Sequence, residues 1–198
     1  MLSIRQWAIS LVIGFCSLGS AQAAITVNGT LDPSDPTLPG NVRIFRDGNA
    51  STCAAAKTFP GTLGVGTAVG YKTTTGSNNG PAACITVTLD LGTCGTNAIT
   101  TAYLGSFNPN DLSQNYLGDQ ADSSLTSFSF MAPANSQIVL MTSAVDAITE
   151  SCTYTITSDN LTGRQATVNP VPTLSTWAAW ALTLLMAAVG ITVLRRRG

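Results

Sequence analysis

Two apolar segments, one at each end of the 198-residue chain, limit what the rest of it can fold into. Residues 24–169 lie between them and are about the size of one ordinary domain. A stretch of that length buries enough surface to fold alone. We therefore expect a single globular domain with a separate apolar segment on either side.

The first segment, residues 1–23, has the features of a secretory signal peptide. An arginine near the start is followed by a short apolar run at 7–18. Ala21 and Ala23 supply the small-x-small pattern that signal peptidase recognises, which places the new N-terminus at Ala24. The pattern predicts that Sec-type export machinery and signal peptidase act on the chain.

The second segment predicts a single transmembrane helix. Residues 177–194 carry no charge, and Arg195, Arg196 and Arg197 follow them. A helix of that length spans about 27 Å, which is enough for a bilayer core. Arginines collect on the cytoplasmic side of membranes, so the segment predicts a membrane-inserted precursor with its C-terminus in the cytoplasm.

The residues before this helix resemble a known sorting signal. The heptapeptide reads Val171-Pro172-Thr173-Leu174-Ser175-Thr176-Trp177. Followed by a helix and terminal arginines, it is similar to the IPTL-CTERM family of C-terminal signals, with Val171, Thr176 and Ala178 in place of the usual Ile, Glu and Gly. The resemblance covers residues 171–198. It implies a Gram-negative bacterium and processing by an exosortase.

Charge and composition exclude several classes of function. Residues 24–169 contain all ten acidic residues but five of the nine basic ones, a net charge of −5. An acidic domain lacks the electrostatic footprint of a nucleic-acid-binding protein. The chain has no histidine, which removes Ser-His-Asp and Cys-His catalysis and any zinc site with a histidine ligand. We expect no enzyme.

Alternating apolar and polar residues predict an all-β domain. In one run Ile85, Val87 and Leu89 fall on one face, which is typical of a half-buried strand. We predict an antiparallel β-sandwich at 24–160, with its strand-rich core at about 65–160 and a linker at 161–170. The predicted strands are 69–75, 84–91, 99–105, 125–131, 137–144 and 152–158.

Several motifs of this region resemble a jelly-roll module. They are AYLGSFNP at 102–109, NYLGD at 115–119, SFSF at 127–130 and CTYTI at 152–156. They are similar to modules of the bacterial pre-peptidase C-terminal type found in secreted proteins. The resemblance implies a jelly-roll-like sandwich with a non-catalytic accessory or surface role, sometimes with bound calcium.

Four cysteines remain after the predicted signal cleavage: Cys53, Cys84, Cys94 and Cys152. An even number in an exported chain predicts two disulfides. Cys84 and Cys94 bracket a strand of about 20 Å or more, too long for a disulfide. We favour Cys53–Cys84 with Cys94–Cys152, and Cys53–Cys94 with Cys84–Cys152 stays open.

Two kinds of side chain could form a binding site. Asp111, Asp119 and Asp122 lie in an oxygen-rich loop that could bind calcium, although turns recruit the same residues. Four tyrosines either line a sugar-binding surface or belong to the core. They are Tyr71, Tyr103, Tyr116 and Tyr154.

Together these patterns predict an exported, exosortase-processed cell-envelope or surface protein. Its inner-membrane precursor would release a non-catalytic structural or interaction domain to the envelope or the outside. The alternative is an adhesin-like domain that binds calcium or carbohydrate. No pattern in the sequence indicates a particular surface ligand.

Overall fold

A computed structural model describes residues 24–163 of the chain. Apart from two short 3-10 turns, Pro39–Asn41 and Gly92–Asn97, the regular structure in this range consists of β-strands. The strands are β1 (Ile25–Leu31), β2 (Val42–Ile44), β3 (Thr62–Gly64), β4 (Tyr71–Asn78), β5 (Ala83–Asp90), β6 (Ala98–Leu104), β7 (Tyr116–Asp119), β8 (Ser127–Ala132), β9 (Ser136–Ala144), β10 (Cys152–Ser158) and β11 (Thr162–Gly163).

The strands form two main antiparallel sheets, which confirms the predicted β-sandwich. Sheet I has the order β1-β10-β5-β8, and sheet II has the order β11-β4-β9-β6-β7. Strands β2 and β3 form a separate antiparallel pair. The described residues include no helix that could cross a bilayer, and the helix predicted at 177–194 lies outside them.

The strand pairing is that of a jelly roll. Eight of the strands form four nested antiparallel pairs, in which the first strand pairs with the last and each following strand pairs with the one before that. The pairs are β1 with β10, β4 with β9, β5 with β8, and β6 with β7. Pairing of β10 with β5 and of β9 with β6 then rolls this long hairpin into two sheets. Nested pairing of this kind leaves few free strand edges.

Buried residues from both sheets form one apolar cluster. In β5, Ile85, Val87 and Leu89 are at most 1% exposed, while the threonines between them are not buried. Tyr154 and Ile156 alternate in the same way along β10. The predicted apolar face of β5 is confirmed, and each such side chain contributes roughly 1.5–3 kcal/mol by leaving water.

The six predicted strands correspond to β4, β5, β6, β8, β9 and β10, with ends shifted by at most three residues. The predicted start of the strand-rich core at about 65 is wrong, because β1 pairs with β10 along its whole length.

Asn28-Gly29 within β1 is a dipeptide typical of turns. In the sheet Gly29 faces Tyr154, and a Cβ at Gly29 would lie 2.2 Å from that ring. The glycine is required by this close approach.

The predicted linker at 161–170 begins too early. Leu161 is fully buried in the core, and its side chain lies against Gly76 of β4. β11 then pairs Thr162 with Ser77 and Gly163 with Gly76. The fold therefore extends at least to residue 163, because one buried leucine and two paired residues hold the chain onto sheet II.

A long irregular segment joins the two sheets on one side. We call residues 45–61, between β2 and β3, the seam loop. Its Ser51 donates its N–H to Asp119 O of β7 at 3.0 Å and accepts the N–H of Ser129 in β8 at 2.9 Å. β7 and β8 are the edge strands of sheets II and I, so the seam loop covers both edges at once.

Candidate functional site

The seam loop also brings a lysine into a buried charged cluster. Lys57 Nζ lies 2.8 Å from Asp47 Oδ1 of the same loop and 2.8 Å from Asp119 Oδ1 at the end of β7. The Asp119 side chain is fully buried and that of Lys57 is only 11% exposed. We call Asp47, Lys57, Tyr116 and Asp119 the seam cluster.

Every oxygen of Asp119 has a partner. Oδ1 accepts the N–H of Ala121 at 2.6 Å in addition to the Lys57 contact, and Oδ2 accepts the Tyr116 hydroxyl at 2.5 Å. The Asp119 main-chain carbonyl accepts bonds from Ser51. A carboxylate without contact to water is tolerated only with this number of donors, because removing a charge from water is costly.

Protonation within the seam cluster follows from burial and hydrogen bonding. Burial raises the pKa of Tyr116, and the hydroxyl's bond to Asp119 raises it further. Burial alone would also raise the pKa of Asp47. The hydrogen bonds from Lys57 and from Asn49 outweigh this effect and hold the pKa of Asp47 below its usual value. Tyr116 thus stays a donor and Asp47 stays an acceptor at neutral pH.

Aromatic rings surround the Tyr116 side of the cluster. Phe59 of the seam loop meets Tyr116 edge-on with ring centroids 5.3 Å apart, and the ring centroid of Tyr103 lies 6.4 Å from that of Tyr116. Tyr103 and Tyr154 are buried, so these two tyrosines belong to the core and not to a sugar-binding surface. Tyr71 and Tyr116 are half-buried, and Tyr71 packs edge-on against Phe107.

The acidic residues predicted as weak calcium ligands do not come together. Asp111 accepts bonds from Ser113, which lower its pKa, and Asp122 accepts the N–H of Ser124 with the same effect. Asp119 is occupied by Lys57 and Tyr116. Among residues 24–163 there is no group of three or more potential metal-ligating His, Cys, Asp or Glu side chains. Asp111 and Asp122 therefore act as turn residues.

No local pattern identifies Lys57 as the partner of Asp119. The two residues lie 62 positions apart, and Lys57 falls in a segment where no element was predicted. The scarcity of basic residues was one indication, since residues 24–163 contain only four of them in a strongly acidic domain. A long loop that contains a lysine and a cysteine has two residues that could attach it to the sheets, one by an ion pair and one by a disulfide.

Both disulfides have the favoured pairing. Cys53–Cys84 joins the seam loop to β5 with 5.7 Å between Cα atoms, and Cys94–Cys152 joins the second 3-10 turn to β10 with 4.8 Å between Cα atoms. The prediction is confirmed. Cys94 and Cys152 are buried, whereas Cys84 is exposed and Cys53 is half-buried.

The predicted processing residues lie almost entirely outside the described part of the chain. Ala24 is the first described residue, and Ala21 and Ala23 precede it. The sorting residues all lie beyond the last described strand. They are Val171, Pro172, Thr173, Leu174, Ser175, Trp177, Arg195, Arg196 and Arg197.

Comparison with known proteins bears on this terminal region. No curated protein matches the chain. Residues 169–197 match the family model of the IPTL-CTERM motif. Because the match contains the heptapeptide, the apolar segment and the arginines in order, the chain carries a C-terminal sorting signal of the kind found on exported cell-surface proteins.

Proposed function

We propose that the chain is an exported cell-envelope or surface protein in which residues 24–163 form a non-catalytic structural or interaction module. The observation that carries this proposal is the match of residues 169–197 to the IPTL-CTERM motif. In this proposal the terminal signals deliver the β-sandwich, and the sandwich is the part that remains at the cell surface.

Delivery would follow from the order of the segments. The signal peptide at 1–23 starts export, and the uncharged segment at 177–194 stops it. The arginines keep the C-terminus in the cytoplasm, so Pro172-Thr173-Leu174 is held at the outer face of the inner membrane. An exosortase-type enzyme would cut within 171–177, where Pro172 keeps the residue before it extended for an active site.

The described domain has features that suit an exported module. Its two disulfides are of the kind that form and persist in an oxidising compartment. The seam loop covers two sheet edges that would otherwise be free to pair with other chains. These features support a compact domain that remains folded outside the cell.

A non-catalytic role is supported by how the polar residues are used. The chain has no histidine, and the buried Asp119 is fully bonded to Lys57, Tyr116 and Ala121. Catalytic carboxylates need an oxygen free to meet a substrate. The other acidic residues of the predicted loop bond to their own turns.

Alanine replacement of Pro172, Thr173 and Leu174 tests the proposal. The helix and arginines stay unchanged, and the protein's mass and membrane fraction are measured in an exosortase-bearing host. Wild type should lose its tail and leave the inner membrane. The variant should accumulate in the inner membrane at full length after signal cleavage.

A matched control replaces Gln165, Thr167 and Val168 with alanine, just before the matched range. This control should be processed like wild type, because it leaves the sorting motif intact. If wild type and the motif variant both keep their tails in that host, the segment is a simple anchor and the proposal fails.

A further inference from the structure

The seam cluster places an amine against a carboxyl group in a site that is almost closed to water. Lys57 Nζ is 2.8 Å from Asp119 Oδ1, and the carboxyl carbon is bonded directly to that oxygen. Reacting atoms held at about 3–3.5 Å are close to an attack geometry. The two groups come from the seam loop and from β7, and the fold holds both in place.

The other members of the seam cluster occupy the positions that amide formation requires. Asp47 Oδ1 accepts a hydrogen bond from the same Lys57 nitrogen at 2.8 Å and can take a proton from it. The Tyr116 hydroxyl donates to Asp119 Oδ2 at 2.5 Å. A donor on that oxygen stabilises the negative charge that develops when an amine attacks the carbon.

The reacting pair is shielded from water, since the Asp119 side chain is fully buried and that of Lys57 is 11% exposed. Transfer of one proton from the Lys57 ammonium to the Asp119 carboxylate would give an amine and a carboxylic acid, the two groups that condense to an amide. Phe59 and Tyr103 both pack edge-on against Tyr116 and help to exclude water from it. Exclusion of water also opposes hydrolysis of an amide once it has formed.

We infer that Lys57 and Asp119 join in an intramolecular isopeptide bond, with Asp47 as proton relay and Tyr116 as hydrogen-bond donor. After the first proton moves from Nζ to Oδ1, the Nζ lone pair attacks the Asp119 carboxyl carbon. A second proton passes from Nζ through Asp47 to Oδ1, the carbon–Oδ1 bond breaks, and water leaves. The amide keeps the third proton on nitrogen and Oδ2 as its carbonyl oxygen, so the step needs no other reactant.

Such a bond would complete the attachment of the seam loop. Cys53–Cys84 already joins the loop covalently to sheet I through β5. A Lys57–Asp119 amide would join the same loop to sheet II through β7. The two sheets would then be connected covalently through the seam loop. The inference does not depend on the sorting tail.

Peptide mapping of the purified, reduced full-length protein tests it. Trypsin cuts after Lys57 only when the side chain is free. The expected product is peptide 47–72, uncut at Lys57, joined to peptide 73–164 with the loss of one water, and tandem mass spectrometry should place the branch at Lys57 and Asp119. Separate peptides 47–57 and 58–72, or a water loss located elsewhere, would overturn the inference.

Variants separate the reaction from folding. Asp47→Asn keeps both reacting groups but removes the relay, so its cross-linked fraction should fall at least several-fold at equal time after synthesis. Lys57→Ala should abolish the branched peptide. Lys72→Ala is the matched control, since Lys72 forms a more exposed ion pair with Asp35 at 3.2 Å, and it should cross-link as wild type does. Because trypsin no longer cuts at residue 72, its expected product is the single peptide 47–164, uncut at Lys57 and lighter by one water. An Asp47→Asn protein that is as fully cross-linked as wild type would contradict the assigned relay.

Discussion

Asp119 shows how one buried carboxylate can fix the position of several chain segments. Its side chain bonds to Lys57 of the seam loop and to Tyr116 of its own strand, and its main-chain carbonyl bonds to Ser51. A buried charge that loses one partner is strongly destabilising, whereas the fully bonded group is tolerated. The contribution of this residue therefore depends on all of its partners together.

The tyrosine hydroxyls near Asp119 give a matched pair of substitutions. Tyr116→Phe removes the donor to Asp119 Oδ2 and should lower the free energy of unfolding by about 1–3 kcal/mol. Tyr103→Phe removes a buried hydroxyl that has no partner among the described residues, so the free energy should stay the same or rise by up to about 1 kcal/mol. Denaturant unfolding measures both values. Equal losses for the two variants would contradict the hydrogen-bond assignment.

Burial of tyrosines also predicts an alkaline limit to stability. Burial raises the pKa of Tyr103, Tyr116 and Tyr154 above the ordinary value of 10.0. Below pH 10 these hydroxyls are protonated in both states and pH has no effect through them. Above it the unfolded chain releases protons that the fold retains, so stability falls as pH rises.

A titration followed by tyrosinate absorbance and circular dichroism checks this expectation. Most of the tyrosinate signal should appear only as the β-sheet signal is lost. Ionisation of three or more tyrosines in a protein that keeps its β-sheet signal would show that these hydroxyls are accessible.

At the scale of elements, short segments protect the edges of the two sheets. The seam loop covers β7 and β8, and β11 covers part of β4. Exposed strand edges are sites of unwanted pairing between chains. The short two-residue strand β11 depends on Leu161, which anchors it in the core.

Leu161→Ala should show how much this anchor contributes. Truncating a fully buried leucine costs about 2–5 kcal/mol, because it removes apolar contact and leaves a cavity. Leu63→Ala on β3 is the control, since Leu63 is 39% exposed and its loss should cost far less. Thermal unfolding compares the two. A cost for Leu161→Ala no larger than that for Leu63→Ala would mean that residue 161 belongs to the linker after all.

The two disulfides should stabilise the domain to slightly different extents. They join residues 31 and 58 positions apart, and each should contribute about 2–4 kcal/mol, with the longer loop contributing roughly 0.5 kcal/mol more. Paired Cys→Ala variants of each bridge, compared by denaturant unfolding, measure the difference.

Alkylation of the unreduced, denatured protein should label no cysteine, and two or more labelled cysteines would refute the two-disulfide arrangement.

At the scale of the whole molecule, the sequence predicted what depends on local pattern. Alternation along β5 predicted both its position and its inward face, and the spacing of Cys84 and Cys94 disfavoured one disulfide pairing. The sorting signal was equally readable, because its parts follow one another within 29 residues.

What could not be predicted depends on contacts between distant segments. Asn28-Gly29 favours a turn locally, whereas pairing with β10 makes it part of a strand and the ring of Tyr154 requires the glycine. Asp119 resembles a turn residue until Lys57, 62 positions away, is brought against it. The boundary at Leu161 was missed for the same reason, because one leucine beside polar residues gives no periodic signal.

Export and sorting can be tested together by mass spectrometry of the mature protein in the cell-associated and released fractions. We expect a chain that begins at Ala24, ends within 171–177 and has all four remaining cysteines in disulfides. A mature protein that retains residues 1–23, or that keeps Arg195, Arg196 and Arg197 in an exosortase-bearing host, would contradict export and sorting as proposed.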